Sequence, residues 1–203
     1  SEMLTDGIID LYRAGKITGA RKTLQPGRIG YSFALGGQPL YDAIDRNRDL
    51  VCLPVERTNL PHVVAQNDRV VSINSTTAVD LTGQAASESD GHRQISGTGG
   101  QLQFVRGAYA SHEGTSFMCL TSTYDRKGER KSRIVLDHKP GTVITTPRTD
   151  VMCVVTEFGL VNLKGKSVPE RARALISIAH PDFREDLERQ AYENRLIPRG
   201  LTL

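Results

Sequence analysis

Val70–Gly107 reads VVSINSTTAVDLTGQAASESDGHRQISGTGGQLQFVRG, and this stretch decides the fold class. It opens on Val70–Ile73, a buried-type strand, with a second short apolar stretch at Val79–Leu81. From Thr82 to Gly100 the residues are small, polar and glycine-rich, too long for an ordinary connection, which points to a functional loop inside one domain. Gln101–Gly107 then reads as a helix opening directly from the glycines. Upstream, Leu4, Ile8, Leu11 and Tyr12 share a helical face that Gly15 stops. A short helix is expected over 39–47, a strand over 50–55, and a helix start at Asn59-Leu60-Pro61 with Asn59 as its cap. Downstream, strands are expected at 116–121, 134–136, 143–145 and 151–156, with a charged turn over 126–131. Ser167-Val168-Pro169-Glu170 is a capping box, and Pro181 opens the last helix. Strands interleaved with helices predict an α/β fold: a mostly parallel sheet with flanking helices, one large domain over residues 1–203.

Composition narrows the function. The 203 residues are 38% hydrophobic with 19 glycines, an ordinary globular balance. A chain of this size buries about 70% of its unfolded surface and needs no disulfide. Lys and Arg number 26 against 23 Asp and Glu, a net +3, with no block of like charge. That argues against nucleic-acid and membrane-surface binding. Apolar runs fall far short of the ~20 residues that span a bilayer. Cys52, Cys119 and Cys153 each sit in an apolar run and read as buried, reduced thiols of a cytoplasmic protein. Ser1–Gly7 is not a signal peptide, and a start in mid-motif reads as a fragment of a longer polypeptide.

Among residues that carry chemistry, Gly97-Thr98-Gly99-Gly100 stands out. Three glycines in four residues let backbone N–H groups approach an anionic oxygen, helped by a helix starting at Gln101. The alternative is a tight turn in a mobile loop. Glu2 precedes a helix, where a carboxylate is favoured by the dipole alone. Glu157 ends a buried strand, placed either for a site or for pairing with Arg148 or Arg171. The five histidines show no H-x-x-x-H or H-E-x-x-H spacing, so no metal site is expected, and His180 reads as a helix junction. G-x-S-x-G, G-x-G-x-x-G and the P-loop are all absent. Lys127 and Lys131 read as solvated charges or phosphate binders.

A series of ordered blocks adds a resemblance. Asn74-Ser75, Val79-Asp80-Leu81-Thr82-Gly83-Gln84, Ser96-Gly97-Thr98-Gly99-Gly100-Gln101 and Phe104-Val105-Arg106-Gly107-Ala108 come first. Ser132-Arg133-Ile134-Val135, Thr145-Thr146-Pro147-Arg148-Thr149-Asp150-Val151, Val155-Thr156-Glu157-Phe158-Gly159, Leu163-Lys164-Gly165-Lys166-Ser167 and Ile178-Ala179-His180-Pro181-Asp182-Phe183-Arg184-Glu185 follow. Together they resemble the C-terminal half of the acetyl-CoA hydrolase/transferase family, which includes 4-hydroxybutyrate and butyrate–acetate CoA-transferases. The resemblance runs from Ser1 to about Ala191.

The resemblance implies an acyl-CoA:carboxylate CoA-transferase that works by ping-pong transfer through a glutamyl-CoA thioester. Ser1-Glu2-Met3-Leu4 matches the family's nucleophile segment, which makes Glu2 the catalytic carboxylate. Gly97, Gly99 and Gly100, with Ser96 before them, match the loop that donates N–H groups to coenzyme A and the reacting carbonyl. Asn59 matches an active-site asparagine, and Thr77 and Lys127 match positions lining the CoA site. Gln103 departs from the family's usual aspartate, and the charges around Lys127 blur its register. The family's N-terminal domain, with its own CoA-binding segment, has no counterpart in this chain and is expected as a partner. The apolar surface it leaves is expected to promote association, and a homo-oligomer with it. Coenzyme A enters as substrate, with short carboxylic acids as acceptors and no resident cofactor. Acyl-CoA hydrolysis and a non-catalytic CoA-binding or assembly module are the alternatives.

Overall fold

The computed structural model describes residues 1–198. The chain divides into two compact units, one of residues 1–70 and 106–114, the other of 71–105 and 115–203; residues 199–203 lie outside the described residues.

The first unit holds β1 (Met3–Leu4), α1 (Asp6–Arg13), β2 (Ile29–Tyr31), β3 (Phe33–Ala34), α2 (Gln38–Ile44), β4 (Leu50–Cys52), a 3-10 turn (Val55–Arg57) and α3 (Pro61–Val64). β1 pairs parallel with β3, and β2 with β4. The apolar face read over residues 4–12 is split. Leu4 sits in β1, and the helix proper begins at Asp6, whose carboxylate accepts from the Gly37 N–H at 3.0 Å. Gly15 takes φ +68°, the left-handed stop expected after α1. Leu4, Ile9, Tyr31, Leu40 and Leu50 form this unit's core.

The second unit contains β5 (Val71–Ser75), β6 (Ala78–Asp80), β7 (Ala85–Ala86), β8 (Ser89–Asp90) and β9 (Arg93–Gln94). The start of α4 (Gln101–Ala110), then β10 (Thr115–Cys119), β11 (Thr123–Arg126), β12 (Glu129–Ser132) and β13 (Ile134–Val135) follow. β14 (Cys153–Thr156), β15 (Gly159–Asn162), α5 (Val168–Ser177) and α6 (Pro181–Glu193) complete it. The largest sheet runs β15-β14-β10-β5, with β5, β10 and β14 parallel and β15 antiparallel at one edge. Leu81, Met118, Ile134, Val154, Leu163 and Leu175 are fully buried in one cluster. Side chains of this kind are each worth roughly 1.5–3 kcal/mol when removed from water.

The fold is α/β as expected, but its sheets are small and mixed rather than mostly parallel. β6–β7, β8–β9, β11–β12 and β14–β15 are all antiparallel. Two physical reasons account for this. Thr82–Gly100 folds into β7, β8 and β9 instead of remaining a loop, because hairpins close over short distances. Glu157-Phe158 turns the chain back so that β15 pairs with its predecessor. Residues 143–145 form no strand; the residue after them, Thr146, makes a single antiparallel bridge to Ala85. No described helix is long and apolar enough to cross a membrane.

Candidate active site

The candidate residues fall into two groups, one in each unit. In the first unit Glu2 directly precedes β1. Its backbone carbonyl accepts from the N–H groups of Ser32 and Phe33, at 2.8 and 3.2 Å. The Ser32 hydroxyl is bonded to the Thr58 hydroxyl. Thr58 Oγ1 in turn donates to Asn59 Oδ1 at 2.7 Å. A continuous chain of hydrogen bonds thus links the backbone of Glu2 to the side chain of Asn59 through Ser32 and Thr58.

Asn59 is 1% exposed. It does not cap α3, as the sequence suggested; Leu60 is the cap residue, and no side chain caps that helix. Burial has a different reason here: the Asn59 N–H closes the 3-10 turn onto Val55 at 2.8 Å. The Nδ2 of the same side chain is buried without a hydrogen-bond partner. Such an orphaned donor costs roughly 1–3 kcal/mol. In a native fold it marks a group held ready for something else.

In the second unit the glycine loop is pinned at both ends. Before it, the Glu88 carbonyl accepts from the N–H groups of Ile95 and Ser96, at 2.7 and 3.2 Å. Ser96 Oγ donates to the Gly97 carbonyl at 3.0 Å. After it, the Gln101 amide ties the first residue of α4 to three segments. Nε2 donates to the Ser75 carbonyl at 2.8 Å, and Oε1 accepts from Ser87 Oγ at 2.8 Å and Thr146 Oγ1 at 3.0 Å. Between the pins, Gly97, Thr98 and Gly99 are exposed, and Gly99 takes φ +56°. That conformation favours glycine, and it aims the loop at the N-terminus of a ten-residue helix, a natural seat for negative charge.

Thr77 uses its polar atoms internally: its hydroxyl and N–H both donate to the Ala86 carbonyl, at 2.6 and 3.0 Å. Lys127 occupies the tip of the β11–β12 hairpin with Gly128, at φ +53° and +80°. Two consecutive positive φ angles make the tight turn that matches strand twist. The hairpin is tethered, since Arg126 donates to Asp90 at 3.2 Å, and Asp90 accepts from Lys139 at 2.6 Å. The Lys139 hydrogen bond, with Arg126 beside it, holds the Asp90 carboxyl below the usual carboxylate range. Asp90 lies in β8, in the segment leading to the glycine loop, so one carboxylate connects both features.

Glu157 pairs with neither Arg148 nor Arg171. Its carboxylate accepts from the Ser122 hydroxyl at 2.6 Å and the Ser122 N–H at 2.8 Å. Desolvation opposes the charge, but these donors prevail and hold the carboxyl below its ordinary value. Arg171 instead donates to the carbonyls of Thr82, Arg148 and Lys166. His180 is a junction as expected: it caps α6, accepting from the Asp182 N–H at 3.3 Å, with its ring edge-on to Phe158. The thiols divide, with Cys153 buried, Cys119 half-buried and Cys52 exposed rather than buried. Ser32 and Asp90 carried no sequence signal of their own, and Gln101 was legible only as the start of a helix. Each matters through a partner at least 14 residues away.

Comparison with known proteins places this chain in a family. Residues 36–191 match the acetyl-CoA hydrolase/transferase C-terminal domain. The "Probable butyrate:acetyl-CoA coenzyme A-transferase" of Syntrophomonas wolfei is 53% identical over 191 residues, 94% of this chain and 43% of that protein. The butyryl-CoA:acetate CoA-transferase of Anaerostipes caccae is 47% identical over 201 residues, 98% of this chain and 45% of that protein. The crystal structure of RipA from Yersinia pestis is 47% identical and superposes with a TM-score of 0.89, covering 97% of this chain and 44% of that one. The chain therefore spans less than half the length of the relatives it matches. It belongs to the acetyl-CoA hydrolase/transferase family, whose C-terminal domain it matches.

Proposed function

We propose that this chain is the catalytic half of an acyl-CoA:carboxylate CoA-transferase of the 4-hydroxybutyrate or butyrate–acetate type, with Glu2 as nucleophile. It acts together with the part of the relatives that it does not match. The Glu2 carboxylate attacks the acyl carbonyl of an acyl-CoA, and the C–S bond breaks to give an acyl-glutamyl anhydride and the CoA thiolate. The thiolate attacks the glutamyl carbonyl, releasing the carboxylate product and leaving a glutamyl-CoA thioester. An acceptor carboxylate reverses the sequence. Splitting the exchange this way replaces one difficult step by two easier ones.

Each step passes through a tetrahedral oxyanion that calls for fixed donors. The Asn59 amide and the N–H groups of Gly99 and Gly100 at the head of α4 have that chemistry. Ser96 and Gly97 shape the loop, Thr77 holds the strand pair beneath the CoA site, and Lys127 offers a point charge to a CoA phosphate. The cytoplasmic setting and a homo-oligomeric assembly belong to the same reading.

The observation that carries it is the buried, unpartnered Nδ2 of Asn59, linked through Thr58 and Ser32 to the backbone of Glu2. The test is chemical. The unmatched half of the Syntrophomonas relative is joined ahead of Ser1, and the chimera is incubated with butyryl-CoA and no acceptor, then reduced with borohydride. A thioester at Glu2 is converted to an alcohol, whereas a free carboxylate is not. Peptide mass finding that alcohol at Glu2 supports the reading. An unmodified Glu2 in a chimera shown to bind CoA overturns it and favours a binding module.

A further inference from the structure

The four-stranded sheet of the second unit has two unequal faces. The register places Val71 beside Thr115, Ile73 beside Phe117, Phe117 beside Cys153, and Val155 beside both Cys119 and Leu160. Neighbours in register share a face, so these residues line one side. On the other side Met118 and Val154 enter the core cluster with Leu175 and Ile176 of α5. The first side is just as apolar, and Cys153 at its middle is buried with Phe117, Cys119 and Val155 half-buried, yet towards the edges Ile73 is 71% exposed, Val71 59% and Leu160 54%.

That combination is anomalous for these strands. β5, β10 and β14 are mutually parallel, and parallel strands are ordinarily covered on both faces. Exposed β-branched side chains in a row on an edge strand, continued by the half-buried Phe117 of the next strand, mark a contact surface. The curated relatives supply the occupant: more than half of their length lies outside this chain, which matches their C-terminal domain. We infer that the face carrying Val71, Ile73, Phe117, Cys119, Val155 and Leu160 docks the portion of the family polypeptide that this chain does not match. The occupant presents an apolar layer to this face. The inference rests on family membership and not on the chemistry of Glu2.

The test is thiol protection. Ile73→Cys is placed in a Cys52→Ser background, and maleimide addition at position 73 is followed by peptide mass. It is measured in the 203-residue chain and in the chimera described above. The expected result is rapid labelling in the chain alone and labelling slowed about tenfold or more in the chimera, as for a site that reacts only on local opening. Equal labelling in both overturns the inference. Slow labelling already in the chain alone overturns the assigned occupant: protection that grows with concentration gives the face to a second copy, and protection independent of concentration gives it to the chain itself. Val71→Cys, on the same face and also exposed, replaces Ile73→Cys should that variant fail to fold. A chimera that protects position 73 but forms no thioester leaves the docking surface standing and removes only the transferase reading.

Discussion

The Ser32 hydroxyl is bonded to the Thr58 hydroxyl, joining the segment after β2 to the turn that delivers Asn59. Thr58→Val keeps the shape and removes that bond together with the one to Asn59 and a longer one to the Val55 carbonyl at 3.3 Å. Stability is expected to fall by about 1–2 kcal/mol, the worth of two neutral hydrogen bonds. Activity of the chimera should fall further, by about 10²-fold, because a misplaced donor is costly even when the fold survives. Thr58→Ser should restore both. Thermal unfolding and kcat/KM with butyryl-CoA and acetate check the pair.

Asn59→Ala separates stability from catalysis. It removes one accepted hydrogen bond and also an unpartnered buried donor, and these two effects oppose each other. The net change in stability is expected to stay within about 1 kcal/mol. The loss in kcat should reach about 10²–10³-fold, typical of removing one oxyanion donor. A large loss of Tm with kcat preserved would show Asn59 to be structural.

The Glu157–Ser122 pair predicts a response to acid. Its folded carboxyl lies below the ordinary value, so its stabilising contribution is present above the ordinary carboxylate range. That contribution disappears as pH falls through the lowered folded value. Glu157→Gln should therefore destabilise the chain at neutral pH and flatten the acid limb of its Tm profile. A wild-type and a variant profile of equal slope at low pH would refute this.

Two glycines are sensitive for different reasons. A Cβ on Gly107 lands 2.5 Å from Val64 Cβ, so Gly107→Ala overpacks α4 against α3 at a cost of about 1–3 kcal/mol. A Cβ on Gly99 meets nothing within 4 Å, and only its φ of +56° resists substitution. Gly99→Ala should therefore cost about 1–2 kcal/mol at most, yet change the CoA KM. Urea unfolding and CoA titration distinguish them.

Asp90→Asn releases Arg126 and Lys139 from their shared carboxylate. The Lys127 hairpin should loosen, raising KM for acyl-CoA several-fold with little change in kcat. The wild-type KM should rise toward the variant's as salt is added, since such exposed pairs are screened. Dephospho-CoA substrates should blunt the difference if the hairpin serves a phosphate.

What could be read in advance follows the range of the interaction. The Ser167–Glu170 capping box closes within four residues and is present, with Ser167 N–H and Oγ both on the Glu170 carboxylate. The left-handed Gly15 and the hairpin at Lys127-Gly128 are equally local. The glycine loop entering α4 was legible for the same reason. Asn59 was legible as a residue but not in its role: a cap is a local inference, whereas its side chain is tied through Thr58 to Ser32, and those two lie 26 positions apart. β15 escaped notice because Gly159–Asn162 has no periodicity of its own and becomes a strand only by pairing with β14. The uncovered sheet face is likewise invisible in a sequence, because alternation over β5 does not say which side will find a partner.

The pins at Glu88 and Gln101 set how much disorder the glycine loop must surrender on meeting a ligand. Gly97, Thr98 and Gly99 are exposed between them. At roughly 1–2 kcal/mol per residue ordered, closing the loop over an anion costs about 3–6 kcal/mol, against about six times that if the whole Thr82–Gly100 segment were slack. The small strands β7, β8 and β9 therefore act thermodynamically: by being folded beforehand, they leave more of the interaction energy to appear as affinity.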